Sequence, residues 1–300
     1  MQTSALYPKG LEWKNYKEYW DKRLLNIGGE MHFALESMKK DDLKKIFIDL
    51  LKISFKEVWQ NKYDIGKSFY ENVKKSVGWI KLKCKEYKKE GISNTLKKDF
   101  CEIENKSKET YHNIELLYKN FVTLDIKQKK RVIIESVLYV FTFIFFALLT
   151  GGGIDFEGGA PDLDLAAGKI VGKGAGWHRN PLTHSLVMAL GIEFLLRFSF
   201  RLIHEIYKYF PEEHDVIWDK IEQFVKKYET ISIAGVYAGI AIHLIQDSNL
   251  LTGGFGERVK AYVWLPSMSD NAHQAILATN AVASGGIAGL SMVQNKKNKD

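Results

Sequence analysis

Residues 132–150 read VIIESVLYVFTFIFFALLT, a segment of 19 residues with a single charge, Glu135, near its start. As a helix rising about 1.5 Å per residue, it reaches roughly 29 Å, about the thickness of a bilayer's hydrocarbon core. The basic cluster Lys127–Arg131 precedes it, which favours a membrane span whose first end lies in the cytoplasm. A fully buried helix in a soluble core is the competing interpretation.

Three further apolar stretches follow, at residues 185–203, 231–245 and 272–293. The first contains Glu193, Arg197 and Arg201 at a spacing of four, so these side chains share one helical stripe and can pair. The last is rich in Gly and Ala, which suits close helix packing as well as lipid. We therefore predict an all-α fold with a four-helix membrane-embedded bundle over residues 131–300, and leave open how many helices cross.

Residues 1–130 differ in composition, with 28 Lys and Arg against 19 Asp and Glu. Their apolar residues recur every three or four positions, as in "DDLKKIFIDLLKISFKEVW" (41–59), which predicts a basic helical bundle. The first residues lack the apolar core of a signal peptide, so we expect this domain in the cytoplasm. Residues 50–131 are candidates for contact with an anionic inner leaflet, and residues 1–130 for a protein partner. The basic residues are mostly lysines mixed with acidic residues, and no nucleic-acid recognition motif is present. Both observations argue against binding of nucleic acid.

Composition excludes several other classes of protein. A hydrophobic content of 46% with 13% aromatic residues excludes a disordered chain. The two cysteines, Cys84 and Cys101, have no Cys or His neighbour at ligand spacing, so neither a disulfide framework nor a sulfur metal site is expected.

The predicted topology gathers the polar motifs on one side of the membrane. With Lys127–Arg131 inside, the first span exits near Gly151, the second returns toward Arg201, and the third exits near His243. The loops at residues 151–180 and 246–271 then lie together on the outer side. Every motif that carries candidate metal-binding or catalytic residues belongs to these loops or borders them.

The first motif is "GWHRNPLTHS" (176–185), at the entry to an apolar run. Asn180 followed by Pro181 predicts the start of a helix, with Asn180 as N-cap. His178 and His184 then reach one point in front of the helix N-terminus, where partial positive charge favours neutral imidazole and an anion such as phosphate. Arg179 adds a fixed cation.

Two pairs of residues complete the set. Asp162 and Asp164 lie in a glycine-rich loop, and His243 and Asp247 are four apart on one helix face. Six nitrogen and oxygen ligands suit one or two divalent ions of the Zn, Mn or Fe type. Asp270 and His273 are further candidates as supporting residues. The predicted metal ligands are Asp162, Asp164, His178, His184, His243 and Asp247.

The order "PDLD" (161–164), "HRNPLTHS" (178–185) and "HLIQD" (243–247) resembles the YdjM-like membrane-bound metal-dependent hydrolases, sometimes grouped with phospholipase C-like enzymes. The resemblance covers about residues 131–293. It implies a multi-pass protein of the bacterial inner membrane and metal roles for the six residues. Two positions depart from the family pattern: Leu165 stands where a histidine often follows the second Asp, and Asn180 where glycine is frequent.

These observations give two main functional hypotheses. The first is a metal-dependent, zinc-type hydrolase of phosphoesters, most plausibly phospholipid headgroups, in which Arg179 holds the phosphate and Asp164 or Asp247 acts as base. The second is a non-enzymatic membrane-disrupting or signalling effector, of a toxin or antiviral defence type, with a structural metal site. A soluble helical enzyme is a third alternative.

Overall fold

A computed structural model describes residues 13–38, 40–153, 158–172, 178–250, 262 and 265–297 of the chain. These residues form eight α-helices and no β-strand, so the prediction of an all-α fold is confirmed. Residues 1–12, for which no signal peptide is predicted, lie outside the described residues. The helices are α1 (Trp13–Ser37), α2 (Lys40–Glu90), α3 (Ile92–Thr123), α4 (Ile126–Gly151), α5 (Leu163–Ile170), α6 (Leu186–Tyr207), α7 (Val216–Asp247) and α8 (Asp270–Lys297).

The chain divides into two compact units, one of residues 1–60 with 141–300 and the other of residues 61–140. This division differs from the boundary expected at residue 130, because residues before position 60 pack against the C-terminal helices. The ring of Phe47 in α2 packs edge-on against Phe198 in α6, with centroids 4.9 Å apart. Long-range packing of this kind leaves no local signal in the sequence.

The smaller unit contains a hairpin of α2 and α3 that turns at Gly91. Gly91 has φ 80°, a left-handed conformation that glycine adopts without the strain of a side chain. Across the hairpin, Asp99 accepts hydrogen bonds from Lys83 at 2.5 Å and from the Tyr87 hydroxyl at 3.1 Å. The break between α2 and α3 thus lies at Gly91, whereas α1 continues through Gly28 and Gly29.

In the larger unit, α7 is the central helix and packs against α6 and α8. Most of its apolar side chains between Ile231 and Leu244 are buried, because neighbouring helices cover it on several sides, whereas Phe224 and Ile242 are exposed. The core cluster comprises Ala160, Ala189, Ile233, Tyr237, Ile240, Leu244, Tyr262, Leu277, Ala281 and Ala288.

Among the described residues, three helices are long and apolar enough to cross a membrane, which supports a membrane protein. They are Ile126–Gly151, Val216–Asp247 and Asp270–Val293, whose most apolar windows of 18 residues have mean hydropathies of 2.5, 1.4 and 1.5. Only 11% of the most apolar window of α4 is buried within the protein, against 67% for α7. A helix that is apolar on all sides and yet exposed is stable in lipid rather than in water.

The apolar stretch at residues 185–203 forms α6, which is not among these three helices because it carries the charges of Glu193, Arg197 and Arg201. Arg197 pairs with Glu193 at 3.0 Å and with Glu229 of α7 at 2.6 Å. Arg201 pairs with Glu229 at 3.4 Å and also with Glu57 of α2. The predicted pairing along α6 is thus present for Glu193 and Arg197, and glutamates from two other helices extend it.

Helix α4 crosses α7 at two glycines one helical turn apart. A Cβ atom at Gly235 would lie 2.5 Å from the carbonyl oxygen of Phe143. At Gly239 it would overlap the carbonyl oxygen of Ala147 and the hydroxyl of Thr150. The Thr150 hydroxyl also lies 3.2 Å from the carbonyl of Val236 and can donate to it. The two backbones are therefore in direct contact, as in small-residue packing of membrane helices.

A buried ion pair ties α1 to the start of α7. Asp215, the N-cap of α7, accepts two hydrogen bonds of 2.6 Å from the Arg23 guanidinium, and both side chains are at most 5% exposed. Burial opposes ionisation of Asp215, but Arg23 outweighs it and holds the pKa of this carboxyl below its ordinary value. Glu30 of α1 also accepts the indole N–H of Trp218 at 2.9 Å.

We predict that Gly239→Ala destabilises the protein by about 1–3 kcal/mol, because the added methyl overpacks the crossing of α4 and α7. Gly286 of α8 is the matched control, since a Cβ there meets nothing within 4 Å. Gly286→Ala should leave stability unchanged or raise it, because alanine is the better helix former. Chemical unfolding in detergent measures both; equal losses would contradict the tight crossing.

We also predict that Asp215→Asn lowers the free energy of unfolding by about 3–5 kcal/mol, because it leaves the Arg23 charge buried and unpaired. Asparagine keeps the oxygen that caps α7, so the cap is preserved. Glu18→Gln is the control, since it removes the exposed i,i+4 partner of Lys22 on the same helix. Circular dichroism during denaturation should show the loss for the first variant alone.

Candidate metal centre

The six predicted ligands meet where α4 and α7 end and α6 begins. Asp162 directly precedes α5, and Asp164 lies in its first turn, so the two aspartates open a short helix within the glycine-rich region. His178 and His184 lie in the segment before α6, while His243 and Asp247 lie at the end of α7. Two groups that can hold a metal share His184: Asp162, His178 and His184, and His184, His243 and Asp247.

The start of α6 differs from the prediction. The N-cap is Ser185, whose hydroxyl accepts the N–H of Val187 at 3.2 Å, so the prediction that Asn180 caps this helix was wrong. Asn180 instead caps a single turn, and its side-chain oxygen accepts the N–H of Thr183 at 3.1 Å. The physical reason is that Asn followed by Pro initiates an isolated turn as readily as a helix.

Four atoms surround one point. The Nε2 atom of His184 lies 3.5 Å from Oδ1 of Asp162 and 3.4 Å from Oδ2 of Asp247. The Nε2 atom of His243 lies 3.9 Å and 3.6 Å from the same two oxygens. Ligands bound at about 2.0–2.2 Å around a tetrahedral ion lie about 3.3–3.6 Å apart. These four distances are therefore close to the spacing of ligands around a divalent ion, and the four residues belong to two candidate ligand groups that share His184.

The two central histidines are oriented to bind through Nε2. Nδ1 of His243 donates to the carbonyl of Gly151 at 3.3 Å, and Nδ1 of His184 lies 3.0 Å from the Thr183 hydroxyl. Their Nε2 atoms are buried and make no hydrogen bond with any residue that the structure describes. A buried polar atom left in this state costs about 1–3 kcal/mol, which an ion at the shared point would recover.

Asp164 organises the segment that carries the histidines. Its Oδ2 accepts the backbone N–H of Asn180 at 3.2 Å, the Asn180 side-chain amide at 3.0 Å and the Thr183 hydroxyl at 2.8 Å. Its Oδ1 lies 3.1 Å from Nδ1 of His178. These contacts form a chain from His184 through Thr183 to Asp164, the kind of outer support that fixes a metal-binding histidine.

Asp162 is suited to bind a cation. Burial opposes its ionisation, but its interaction with His184 and the charges of His243 and His178 outweigh burial, so the pKa of Asp162 lies below its ordinary value. The carboxyl is therefore ionised at neutral pH. Asp162 and His178 are also the partly open side of the centre, with 18% and 15% of their side chains exposed.

Arg179 lies beside the centre in a conformation that costs energy. Its φ of 55° is left-handed, which is unfavourable for a residue with a side chain and frequent at functional sites. Its Nε atom lies 3.7 Å from Oδ2 of Asp247. This nitrogen is buried and makes no hydrogen bond with the described residues. The guanidinium thus places a cation at the edge of the predicted metal position.

Sequence reasoning missed the residues that hold the ligands in place. Asn180 was expected to cap a helix, Thr183 was not considered, and the carbonyl of Gly151 is part of the backbone. The one available signal was the hydroxyl residue directly before His184 in "THS". The other contacts join residues 16 to 92 positions apart, so they have no local signature.

Comparison with protein-family models, with curated proteins and with solved structures gives no match. The resemblance to the YdjM-like hydrolases therefore stays a prediction. What the site does is inferred from its own geometry.

We predict that the purified protein binds about one Zn²⁺ or Mn²⁺ per chain and that His184→Ala and His243→Ala abolish this binding, because each removes one of the four converging atoms. His112→Ala is the control, since this histidine is 65% exposed and lies on α3. Elemental analysis of protein in detergent gives the metal content. Equal content in all variants would place the ion elsewhere.

Proposed function

We propose that the protein is an integral membrane, metal-dependent hydrolase of phosphoesters whose substrates are phospholipid headgroups. The observation that carries this proposal is that two candidate ligand groups share His184 and lie next to an arginine, while the buried Nε2 atoms of His184 and His243 make no hydrogen bond to a described residue. A divalent ion held there supplies Lewis acidity toward a phosphoryl oxygen and makes water more acidic.

The side chains around the ion then have distinct roles. Asp162, His184, His243 and Asp247 bind the ion, and His178 lies at its open side. Asp164 already accepts four contacts, which favours a supporting role over the role of base. Arg179 binds the substrate phosphate and holds it beside Asp247. With Asp164 in a supporting role, Asp247 would combine binding of the ion with acceptance of the proton from water.

The surroundings of the site favour an amphipathic substrate. Leu163, between the two aspartates, is 57% exposed, and Leu182, two residues before His184, is 58% exposed. Ile170, at the end of α5, is 87% exposed. These apolar side chains lie near the ends of helices that can cross a membrane, where a phospholipid presents its headgroup and the start of its acyl chains. A bacterial inner membrane with this face outward remains our expectation.

A second function, a non-enzymatic effector of the toxin or antiviral defence type, is favoured by one observation. His184 and His243 are almost completely buried, with 0% and 4% of their side chains exposed, as in structural metal sites that are closed to substrate. Toxicity on expression that persists in the His178→Ala/His184→Ala double variant would favour this function, because the hydrolase needs an intact metal centre.

For the hydrolase, we predict that Arg179→Ala lowers kcat/KM for phospholipid by about 100-fold, because the variant loses a charged donor to the phosphate. Arg179→Lys should recover part of the activity, and His112→Ala should match the wild type. Release of headgroup phosphate from mixed detergent–lipid micelles, followed by mass spectrometry, measures each rate. Wild-type protein with a full complement of metal and no cleavage of any phospholipid would reject the proposal.

A further inference from the structure

The first half of α8 presents polar side chains to the protein interior. His273 and Gln274 are 1% and 0% exposed, and Asn280 is half-buried two turns later. Buried polar groups in an apolar helix are costly unless they are hydrogen-bonded. Gln274 and Asn280 are hydrogen-bonded to backbone groups within two residues of a predicted metal ligand. His273 is hydrogen-bonded to Tyr262, which in turn contacts the backbone of His184.

The strongest of these connections runs through Tyr262. This side chain is 1% exposed, and its hydroxyl donates to the carbonyl of His184 at 2.6 Å. Its own backbone N–H donates to Nδ1 of His273 at 3.1 Å. His273 thus fixes Tyr262, and Tyr262 fixes the backbone of the histidine that both candidate ligand groups share.

Two further contacts fix the ends of the helices that carry the ligands. The Gln274 amide donates to the carbonyl of Ser248 at 2.9 Å, one residue after Asp247. The Asn280 oxygen accepts the N–H of Leu186 at 2.9 Å, two residues after His184. Helix α8 therefore contacts the start of α6 and the end of α7 at once, although it supplies no member of the candidate ligand groups.

We propose that the first half of α8 is the positioning element of the metal centre and that Tyr262 is a positioning residue for His184. This inference rests on the proposed metal centre. Removal of hydrogen bonds that hold a metal ligand typically changes metal affinity 10–100-fold. Tyr262 would act in this way through the backbone carbonyl of His184 rather than through its imidazole. This role differs from general stabilisation of the fold, because it sets the orientation of one predicted metal ligand, His184.

The test compares two phenol deletions in the full-length protein. Tyr262→Phe removes the hydroxyl that bonds to His184. Tyr237→Phe is the matched control, because its hydroxyl donates to Glu193 at 2.7 Å within an equally buried helix interface. Co²⁺ is the probe, with affinity measured against a chelator and ligand geometry read from its visible absorption. Thermal unfolding of the metal-free proteins shows how much each substitution weakens the fold.

We expect Tyr262→Phe to raise the Co²⁺ Kd about 10–100-fold and to shift the absorption bands, whereas Tyr237→Phe leaves both near wild type. Wild-type affinity in Tyr262→Phe, or an equal loss in both variants, would overturn the positioning role. A wild type that binds no Co²⁺ would overturn the proposed function itself, so the two failures are distinguishable.

A second variant applies if Tyr262→Phe does not fold. Asn280→Ala removes the acceptor for the Leu186 N–H, and Thr279→Ala, at the exposed neighbouring position, is its control. A Co²⁺ Kd raised about 10-fold by Asn280→Ala alone supports the inference. Identical Kd values for the two alanine variants would overturn it.

Discussion

The direct backbone contact between α4 and α7 is the constraint on which the site depends. Because Gly235 and Gly239 have no side chains, the two helices approach until the end of α4 lies beside the last turns of α7. The carbonyl of Gly151 then reaches Nδ1 of His243 and directs its other nitrogen toward the shared point. A larger residue at the crossing would move the end of α4 and, with it, the partner that orients this histidine.

The candidate metal centre places ionisable side chains such as His184 and Asp247 in a buried position, and their arrangement depends on contacts between several segments. His184 contributes to both ligand groups, and its own orientation depends on Thr183 and Asp164 below it. In α6, which begins two residues after His184, Arg197 and Glu193 form a second buried polar group with Glu229 of α7. Helix α6 is therefore too polar to resemble a simple membrane span, although it packs among helices that are apolar enough to be one.

Much of this arrangement was predictable from sequence, because the period of the apolar residues marks each helix. The alternating direction of successive membrane helices then indicates which loops lie on the same side. Six candidate ligands were predicted from spacing and from the expectation that loops at residues 151–180 and 246–271 share one side, and five of them belong to the two groups that could hold a metal. The start of α6 was mispredicted, since Asn180 with Pro181 caps a single turn. The boundary between the units and the supporting role of Tyr262 depend on tertiary contacts that join distant residues, and no local pattern encodes them.

The pairing of Arg23 with Asp215 also constrains biosynthesis. The two residues are 192 positions apart, so the first helix is synthesised long before its partner exists. At a synthesis rate of about 5–20 residues per second, roughly 10–40 s pass between the addition of Arg23 and the addition of Asp215. During that interval the apolar face of α1 has no docking surface from the later helices. The nascent chain thus carries an incomplete N-terminal segment until the turn between α6 and α7 emerges.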